Sequence, residues 1–436
     1  MADNSKTTEA EVKISPLKDK ELKKRIKNIT GLKEEVKKAS VKNVSELLEI
    51  ILAGAINLGS SDIHLETGET AVKIRVRIDG LLQEVTEVDS SLYENLLSRI
   101  KLISGLKLNI SDRPQDGRFT VLESILPIEI RVSSLPSEYG ESLVLRILNP
   151  KSLIDLESLG LRPDLFSTFK KEIKKPNGMI IITGPTGSGK TTTLYAFLKK
   201  IQVPEIKIIT IEDPIEYHLK GISQTQVNPQ KGYDFASGLQ SIMRQDPDVI
   251  LVGEIRDSET CQIALQAALT GHLVFSTLHT NDAAGTVSRL ISLEGDLKNI
   301  GPAVNMTVAQ RLLRKVCSKC NRLETVSPEE LGKLKAGLKG LPREVKIPKL
   351  TGGLKLPSTK GCQACNSTGY RGRVGIFETI LMDESMEKFI LKNPSIASFR
   401  EEAIKKGMVT IYQDGLIKVL QGETTIEEVE RVTGEK

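Results

Sequence analysis

The chain has 436 residues, of which 39% are hydrophobic and 27% are charged, so it is long enough for two or three domains and has the composition of an ordinary soluble protein. The absence of Trp and an aromatic content of 4% argue against a stacking surface for single-stranded nucleic acid, and no run reaches the roughly 18 apolar residues of a membrane span. The net charge is +5, and residues 1–40 hold eleven Lys and Arg against seven Asp and Glu. The rest of the chain is therefore nearly neutral, which is unlike a dedicated DNA-binding protein. We expect no nucleic-acid partner.

Residues 1–41 form a basic, Lys-rich tail that we expect to be partly disordered, with the first twenty residues unstructured. Beyond them, apolar residues recur at helical spacing, at Leu22, Ile26, Ile29, Leu32 and Val36. The spacing predicts either a helix that lies against the first domain or a basic amphipathic helix for a membrane surface or a partner. Because the N-terminus lacks the apolar core of a secretory signal, we expect a cytoplasmic protein.

Residues 42–150 are predicted to form a small α+β domain, since a helical stretch over 42–57 is followed by strand-like runs at 72–78 and 142–148. Residues 151–177 are interpreted as an interdomain connection.

From residue 178 strand, loop and helix alternate, which predicts a mainly parallel α/β sheet in a C-terminal domain over 178–436. The predicted strands are 179–183, 206–211 and 249–252, and the predicted helix is 190–201. Small helices are expected from residue 385 onward.

A glycine-rich loop joins the predicted strand 179–183 to the predicted helix 190–201. Its residues are Gly184, Pro185, Thr186, Gly187, Ser188, Gly189, Lys190 and Thr191, followed by Thr192. This G-x-x-x-x-G-K-[ST] pattern cradles phosphates with backbone N–H groups at a helix N-terminus. We therefore predict an ATP site in which Lys190 reaches the β- and γ-phosphates and the Thr191 hydroxyl binds Mg²⁺.

Three polar side chains follow other buried-strand runs. Glu254, after the run 248–253, is predicted to lie beside the Mg²⁺ and its water shell. Glu212, after 206–211, is predicted to orient or deprotonate the attacking water, with a mere turn at Asp213 and Pro214 as an equal alternative. His279 is predicted to sense the γ-phosphate or couple its loss to neighbouring elements, although a lone His is more often a core residue.

Four of the five cysteines form two C-x-x-C pairs separated by 41 residues, namely Cys317, Cys320, Cys362 and Cys365. Four thiolates suit a structural Zn²⁺ site, and two unrelated reduced pairs are the alternative. The predicted zinc element spans 317–365 as an insertion in the C-terminal domain, and Cys261 is interpreted as core.

Taken in order, these motifs resemble those of the type II secretion and type IV pilus assembly ATPases from residue 42 to the end. The residues that carry the resemblance are Met243–Asp257, the acidic stretch 212–217, the histidine stretch 271–281, and the first-domain blocks 61–66, 77–80 and 115–118. The resemblance implies a RecA-like ATPase domain and a homo-hexameric ring at the inner face of the cytoplasmic membrane. The ring would drive an inner-membrane platform protein that builds a pilus or pseudopilus, and an acidic phospholipid surface is a possible further partner.

Members of that family usually carry an additional N-terminal docking domain, for which we expect the first forty residues to be too short. The paired cysteines match the assembly and secretion branches and are missing from typical retraction motors. A retraction or DNA-uptake ATPase of the same fold is nevertheless an alternative, as is a zinc-containing nucleic-acid-binding module with ATP as a regulatory ligand.

Two arginines of the first domain, Arg131 and Arg146, lie in or beside apolar strand runs, where a guanidinium needs a fixed anionic partner. An ion pair inside the domain, for instance with Glu138 or Glu141, is one reading. The family resemblance implies the other, in which both reach nucleotide phosphates across a domain or subunit boundary, as arginine fingers do.

Overall fold

The computed structural model describes residues 11–40, 43–123, 126–294 and 296–435. The chain divides into two compact units. Unit 1 comprises Met1–Ser152, Cys317–Cys320 and Lys360–Arg371, and unit 2 comprises Leu153–Val316, Asn321–Thr359 and Gly372–Lys436.

In the described residues, unit 1 is built on a seven-stranded sheet with four helices. Its strands are β1 (Glu11–Ile14), β2 (Asp62–Thr67), β3 (Ala71–Ile78), β4 (Leu81–Asp89), β5 (Gln115–Glu123), β6 (Leu126–Ser137) and β7 (Gly140–Leu148). Its helices are α1 (Pro16–Arg25), α2 (Ile29–Ala39), α3 (Val44–Asn57) and α4 (Ser90–Ile103). The strand order is β1-β5-β6-β7-β2-β3-β4, and every pair is antiparallel except β1 with β5.

The start of the chain differs from the sequence prediction. Residues 1–10 lie outside the described residues, but 11–20 form β1 and the start of α1, so the expectation that they are unstructured is wrong. The predicted single helix is two helices, because Asn28 caps a new helix by accepting from Gly31 N–H at 2.9 Å. The apolar residues bury against unit 1, as the first of the two readings predicted; they are Leu22, Ile26, Leu32 and Val36.

Unit 2 has a second seven-stranded sheet. In chain order, the strands of the part of unit 2 that the structure describes are β8 (Gly178–Thr183), β9 (Ile208–Glu212), β10 (Ser223–Gln226), β11 (Val249–Val252), β12 (Leu273–Leu278), β13 (Val304–Val316), β14 (Asn321–Thr325), β15 (Lys355–Thr359) and β16 (Tyr370–Leu381). The large sheet has the order β10-β9-β11-β12-β8-β13-β16, while β14 and β15 form an antiparallel pair of their own. All pairs from β10 to β13 in that order are parallel.

The described part of unit 2 has eleven α-helices. They are α5 (Pro163–Glu172), α6 (Lys190–Ile201), α7 (Phe235–Met243), α8 (Ser258–Leu269), α9 (Ala283–Glu294), α10 (Leu297–Ala303), α11 (Pro328–Gly337), α12 (Glu384–Ile390), α13 (Ile396–Lys405), α14 (Ile411–Leu420) and α15 (Ile426–Thr433). Every residue of β8, β9, β11 and β12 is buried, which explains why these strands appear in the sequence as continuous apolar runs. The predicted fold class, a mainly parallel α/β domain preceded by an α+β domain, is confirmed.

The two units do not follow the predicted boundaries. The N-terminal tail belongs to unit 1, and so do both C-x-x-C segments, which were predicted to lie in the ATPase domain. The predicted connection over 151–177 belongs mostly to unit 2, where Leu156, Leu165 and Phe169 are buried in its core. In none of the described helices is there a stretch long and apolar enough to cross a membrane.

Candidate functional site

The glycine-rich loop joins β8 to α6, as the sequence predicts. Gly184, Gly187 and Gly189 have φ angles of 145°, 78° and 88°, which side-chain-bearing residues rarely adopt. The start of the loop is also tightly enclosed, because a Cβ at Gly184 would lie 2.4 Å from the main-chain oxygen of Gln310. The three glycines are thus required by the backbone of a phosphate-binding loop.

Two polar side chains of this loop are suited to an anion. Lys190 Nζ donates to Gly184 O at 2.8 Å and to Pro185 O at 3.3 Å, so the ammonium is held over the loop. Burial lowers the pKa of Lys190, an effect that Glu254 and Glu216 oppose. Ser188 Oγ is buried without a hydrogen-bond partner among the described residues, which costs free energy unless a ligand supplies one. The loop therefore fits a nucleotide phosphate.

Glu254 lies just beyond β11 in a charged cluster. Its Oε1 accepts from Arg256 Nε at 2.7 Å, and its Oε2 lies 3.0 Å from His279 Nε2. Arg256 also pairs with Asp213 at 3.4 Å, and its pKa is raised mainly by the hydrogen bond to Glu254. Glu254, which was predicted to lie beside Mg²⁺, is thus in direct contact with His279, which was predicted to sense the γ-phosphate.

Glu212, the last residue of β9, is buried and its carboxylate is held by three donors. Oε1 accepts from Thr210 Oγ1 at 2.6 Å and from Gln224 Nε2 at 3.1 Å, while Oε2 accepts from the Tyr195 hydroxyl. Burial and the adjacent Glu212 charge raise the pKa of Tyr195 far above its ordinary value, so this phenol stays a donor. Glu212 is consequently a fixed carboxylate, and Tyr195 ties it to α6 beneath the glycine-rich loop.

The four predicted groups meet at one edge of the sheet. Glu212 ends β9, and the loop, Glu254 and His279 follow β8, β11 and β12; these four strands are parallel neighbours in the sheet. Carboxyl ends of parallel strands share an edge, and ligands of open α/β sheets bind there. Thr183 Oγ1 accepts from Thr280 N–H at 2.8 Å, which joins the histidine loop to the end of β8.

The other histidine of that stretch lies elsewhere. His272 precedes β12, at the amino end of the strand, and its Nδ1 lies 3.1 Å from Ala267 O. It is therefore remote from the carboxyl edge. The sequence pattern assigned no role to Tyr195, Arg256 or Gln310. Gln310 reaches the site only because β13 pairs with β8, whereas Arg256 is two residues from Glu254 and Tyr195 lies on the helix that follows the loop.

The four paired cysteines form one cluster in unit 1. Their Sγ atoms all lie within 4.8 Å of one another, with Cys317–Cys362 at 4.0 Å and Cys320–Cys365 at 3.8 Å. Thiolates bound to one Zn²⁺ at about 2.3 Å are about 3.8 Å apart, so the cluster fits a tetrahedral zinc. Cys261 is fully buried in the core of unit 2, and burial raises its pKa to about 12, which confirms the core assignment.

Arg131 and Arg146 lie opposite each other on β6 and β7 of unit 1. Arg131 Nε donates to Glu129 Oε1 at 3.0 Å, and Arg146 Nε donates to Asp62 Oδ1 at 3.2 Å. Both arginines thus form ion pairs inside the domain, as one of the two readings predicted, but with partners other than Glu138 and Glu141; Glu141 instead pairs with the buried Lys101 at 2.8 Å. The Arg146 side chain nevertheless remains 56% exposed, which leaves its guanidinium accessible to an anion.

Comparison with known proteins identifies a family whose sequences are similar to this chain. The model of the family "Type II/IV secretion system protein" matches residues 37–431. The chain is 44% identical over 371 residues to the type IV pilus assembly ATPase PilB of Thermus thermophilus, a match that covers 85% of the chain and 41% of that relative. It is also 44% identical over 393 residues to the type II secretion system ATPase E of Vibrio cholerae, covering 89% of the chain and 75% of the relative.

A solved structure has the same fold. The crystal structure of the pilus retraction motor PilT with bound ADP superimposes with a TM-score of 0.58 at 27% identity, covering 87% of this chain and 95% of that one. The chain thus spans almost all of the length of PilT but less than half of the Thermus relative.

Proposed function

Since this chain belongs to the type II/IV secretion system protein family, as its motifs predicted, we propose that it is an ATP-hydrolysing motor that powers assembly of a pilus or a secretion pseudopilus. The relatives named as secretion and pilus assembly ATPases support this function. The observation that carries it is the meeting of the glycine-rich loop, Glu212, Glu254 and His279 at one sheet edge.

The residues of this edge divide the work of hydrolysis. The loop N–H groups and Lys190 bind the phosphates, Ser188 Oγ gains an acceptor, and Thr191 holds Mg²⁺ with Glu254 beside it. When bound, Mg²⁺ neutralises charge on the phosphate oxygens. Phosphoryl transfer has little covalent chemistry for the protein to perform, so catalysis rests on this positioning and charge.

Glu212 orients and deprotonates the attacking water in this proposal. Its three donors fix the carboxylate, and Oε2 retains a second lone pair beside the hydrogen bond from Tyr195. A base whose orientation is held in advance loses no entropy at the moment of reaction. His279 then reports the presence of the γ-phosphate to Glu254.

The zinc, the ring and its location complete the proposal. The Cys₄ cluster holds a structural Zn²⁺, which leaves no open position for catalysis. The chain works as a homo-hexamer on an inner-membrane platform protein at the cytoplasmic face of the membrane. The cysteine cluster favours an assembly or secretion motor over a retraction or DNA-uptake motor, because the resemblance places paired cysteines in the former branches.

The test is the Lys190→Ala variant, which should lose ATP hydrolysis because the γ-phosphate loses its counter-charge. The matched control is Lys199→Ala on the same helix, whose ammonium pairs with Asp155 at 2.6 Å on the surface. Normal turnover by Lys190→Ala, or equal loss in both variants, would overturn the assignment. Turnover measured with DNA and with acidic phospholipid vesicles distinguishes a membrane-linked motor from a nucleic-acid-dependent one.

A further inference from the structure

A buried glutamine lies directly against the glycine-rich loop. Gln310 belongs to β13, one residue past Ala309, which pairs with Thr183 at the end of β8. It is 2% exposed, and an amide buried to this extent is costly unless it is hydrogen-bonded. Its placement where the loop begins indicates a purpose beyond filling the core.

Gln310 contacts both ends of the loop. A Cβ added at Gly184 would lie 2.4 Å from Gln310 O, and one added at Gly189 would lie 2.9 Å from Gln310 Nε2. The main chain of one residue thus abuts the first glycine while its side chain abuts the last. The first and the last glycine of the loop are therefore both enclosed by the same residue of β13.

The side chain is also tied to the helix that follows the loop. Gln310 Oε1 accepts a hydrogen bond from Thr193 Oγ1 at 2.8 Å, and Thr193 is fully buried in the first turn of α6. Thr193 N–H donates to Gly189 O at 3.0 Å, so the threonine is itself bound to the loop. Gln310, Thr193 and Gly189 therefore form a chain of contacts from the sheet to the helix N-terminus.

We propose that Gln310 is a positioning residue for the phosphate-binding loop, acting through Gly184, Gly189 and Thr193. It holds the start of α6 at the distance from β8 at which the loop N–H groups converge on the phosphates of a nucleoside diphosphate. This inference rests on the proposed ATP site and adds a residue that acts through its contacts with the loop and with α6. Loss of the contact weakens binding of the phosphates more than it slows the chemistry of a saturated site.

The experiment compares Thr193→Val, Thr193→Ser and Gln310→Met with the unaltered full chain, using Mg–ADP as the probe. Affinity is measured calorimetrically, kcat and KM for ATP by turnover, and Tm by thermal unfolding. Thr193→Val and Gln310→Met should each weaken Mg–ADP binding and raise KM about tenfold, the equivalent of one buried hydrogen bond, with a much smaller change in kcat. Thr193→Ser keeps the hydroxyl and should restore affinity.

A double variant and a matched control decide between positioning and plain core packing. Thr193→Val combined with Gln310→Met should lose no more affinity than either alone, because both remove the same contact. Thr424→Val is the control, since Thr424 is equally buried and donates to Arg314 O at 2.9 Å; it should lower Tm and keep wild-type affinity.

Lower Tm with unchanged Mg–ADP affinity in Thr193→Val and Gln310→Met would overturn the inference, as would additive losses in the double variant. If Gln310→Met does not fold, the Thr193→Val and Thr193→Ser pair still decides. Failure of the unaltered chain to bind Mg–ADP would instead count against the ATP site itself.

Discussion

His279 Nε2 lies 3.0 Å from Glu254 Oε2, so the loop after β12 contacts the acid that follows β11. The other oxygen of Glu254 accepts from Arg256, and the carboxylate is thus held between an arginine and a histidine. His279 contacts Glu254, and it follows β12, which pairs with the strand that leads into the glycine-rich loop. It is therefore well placed to couple the presence of the γ-phosphate to the position of the Glu254 carboxylate.

We expect His279→Ala to lower kcat about fivefold while Mg–ADP affinity is kept. The effect is modest because the His279 side chain is 57% exposed, and a hydrogen bond between exposed side chains is worth about 1 kcal/mol or less. Steady-state turnover and calorimetric binding measure the two quantities. His272→Ala is the matched control at the opposite edge, and an equal fall in its kcat would contradict the assignment.

The two acids should separate when each is changed to its amide. Glu212→Gln should bind ATP–Mg²⁺ yet turn over at least about a hundredfold more slowly, because it removes the base for water. Glu254→Gln should instead weaken Mg²⁺-dependent nucleotide binding. Affinity measured with and without Mg²⁺ separates these outcomes, and equal loss of binding in both variants would show that the roles are misassigned.

Tyr195→Phe completes that comparison. It removes the hydroxyl that donates to Glu212 Oε2 and leaves the ring in place. If Glu212 acts as a fixed base, this variant should lower kcat with little change in affinity, since a less constrained carboxylate is a poorer base. Unchanged kcat would mean that the hydrogen bond serves only the packing of α6.

Nucleotide affinity should fall at alkaline pH. Burial lowers the pKa of Lys190 in the free protein, so its charge is complete below that pKa and is lost as pH rises through it, earlier than for an ordinary lysine. Mg–ADP affinity measured from pH 7 to 10 should therefore decline. The control is Lys190→Arg, which stays charged across this range and should bind more weakly but without that decline.

Elemental analysis should find about one zinc per chain, with Cys317, Cys320, Cys362 and Cys365 as ligands. Replacing any one by Ser should lower thermal stability more than it lowers ATP turnover. Cys261→Ser is the control, because it alters a buried thiol outside the cluster and should leave zinc content unchanged. A well-folded chain purified without metal would contradict the site.

The cysteine cluster also bears on the start of the chain. Asn366 follows the predicted ligand Cys365, and its Oδ1 accepts from Ile29 N–H at the first turn of α2, at 2.9 Å. Asn366→Ala should therefore raise amide exchange at Ile29 severalfold, the loss of roughly one hydrogen bond, while zinc content stays the same. Protection of Ile29 that is unaffected by Asn366→Ala would show that the contact carries no free energy.

Local patterns in the sequence were sufficient to predict the glycine-rich loop, α6 and the buried strands of unit 2. The run 190–201 is helical over that whole range, and Glu212, Glu254 and His279 all reach the predicted edge. These features depend on residues within one strand–loop–helix segment, where periodicity and a spacing motif are strong signals.

Features that depend on distant pairing were not predictable in this way. The cysteine segments join unit 1 and Gln310 reaches the loop only because β13 lies beside β8. The partner of Arg146 was likewise missed, since cross-strand register places Asp62 opposite Arg146 and no spacing along the chain reveals it. A motif search identifies the ligands of a site more readily than the residues that hold them.

A row of charged residues crosses the sheet of unit 1. Register places Arg118, Arg131, Arg146, Asp62 and Arg77 opposite one another in that order. Arg146 and Arg77 share the carboxylate of Asp62 and Arg131 pairs with Glu129, while the Arg146 side chain remains 56% exposed and accessible to an additional anion. If Arg131 and Arg146 act on a nucleotide across a boundary, changing either to Ala should lower ATP turnover by about 10³-fold, with folding and Mg–ADP binding intact.

A variant of Asp62, the ion-pair partner of Arg146, distinguishes an ion pair from an arginine finger. Asp62→Ala removes the carboxylate that pairs with Arg146 but keeps the guanidinium, so it should retain turnover if Arg146 acts on phosphate and should match Arg146→Ala if the pair is structural. Arg75→Ala is the control, because Arg75 donates to Glu66 at 3.0 Å on the same sheet outside this row. Turnover, oligomer size and Tm are measured together for all four variants. An arginine finger that acts in trans works only in an assembled ring, so turnover per chain of the unaltered protein should rise with protein concentration. A loss of turnover in Arg146→Ala that only follows a loss of folding would instead assign Arg146 to stability.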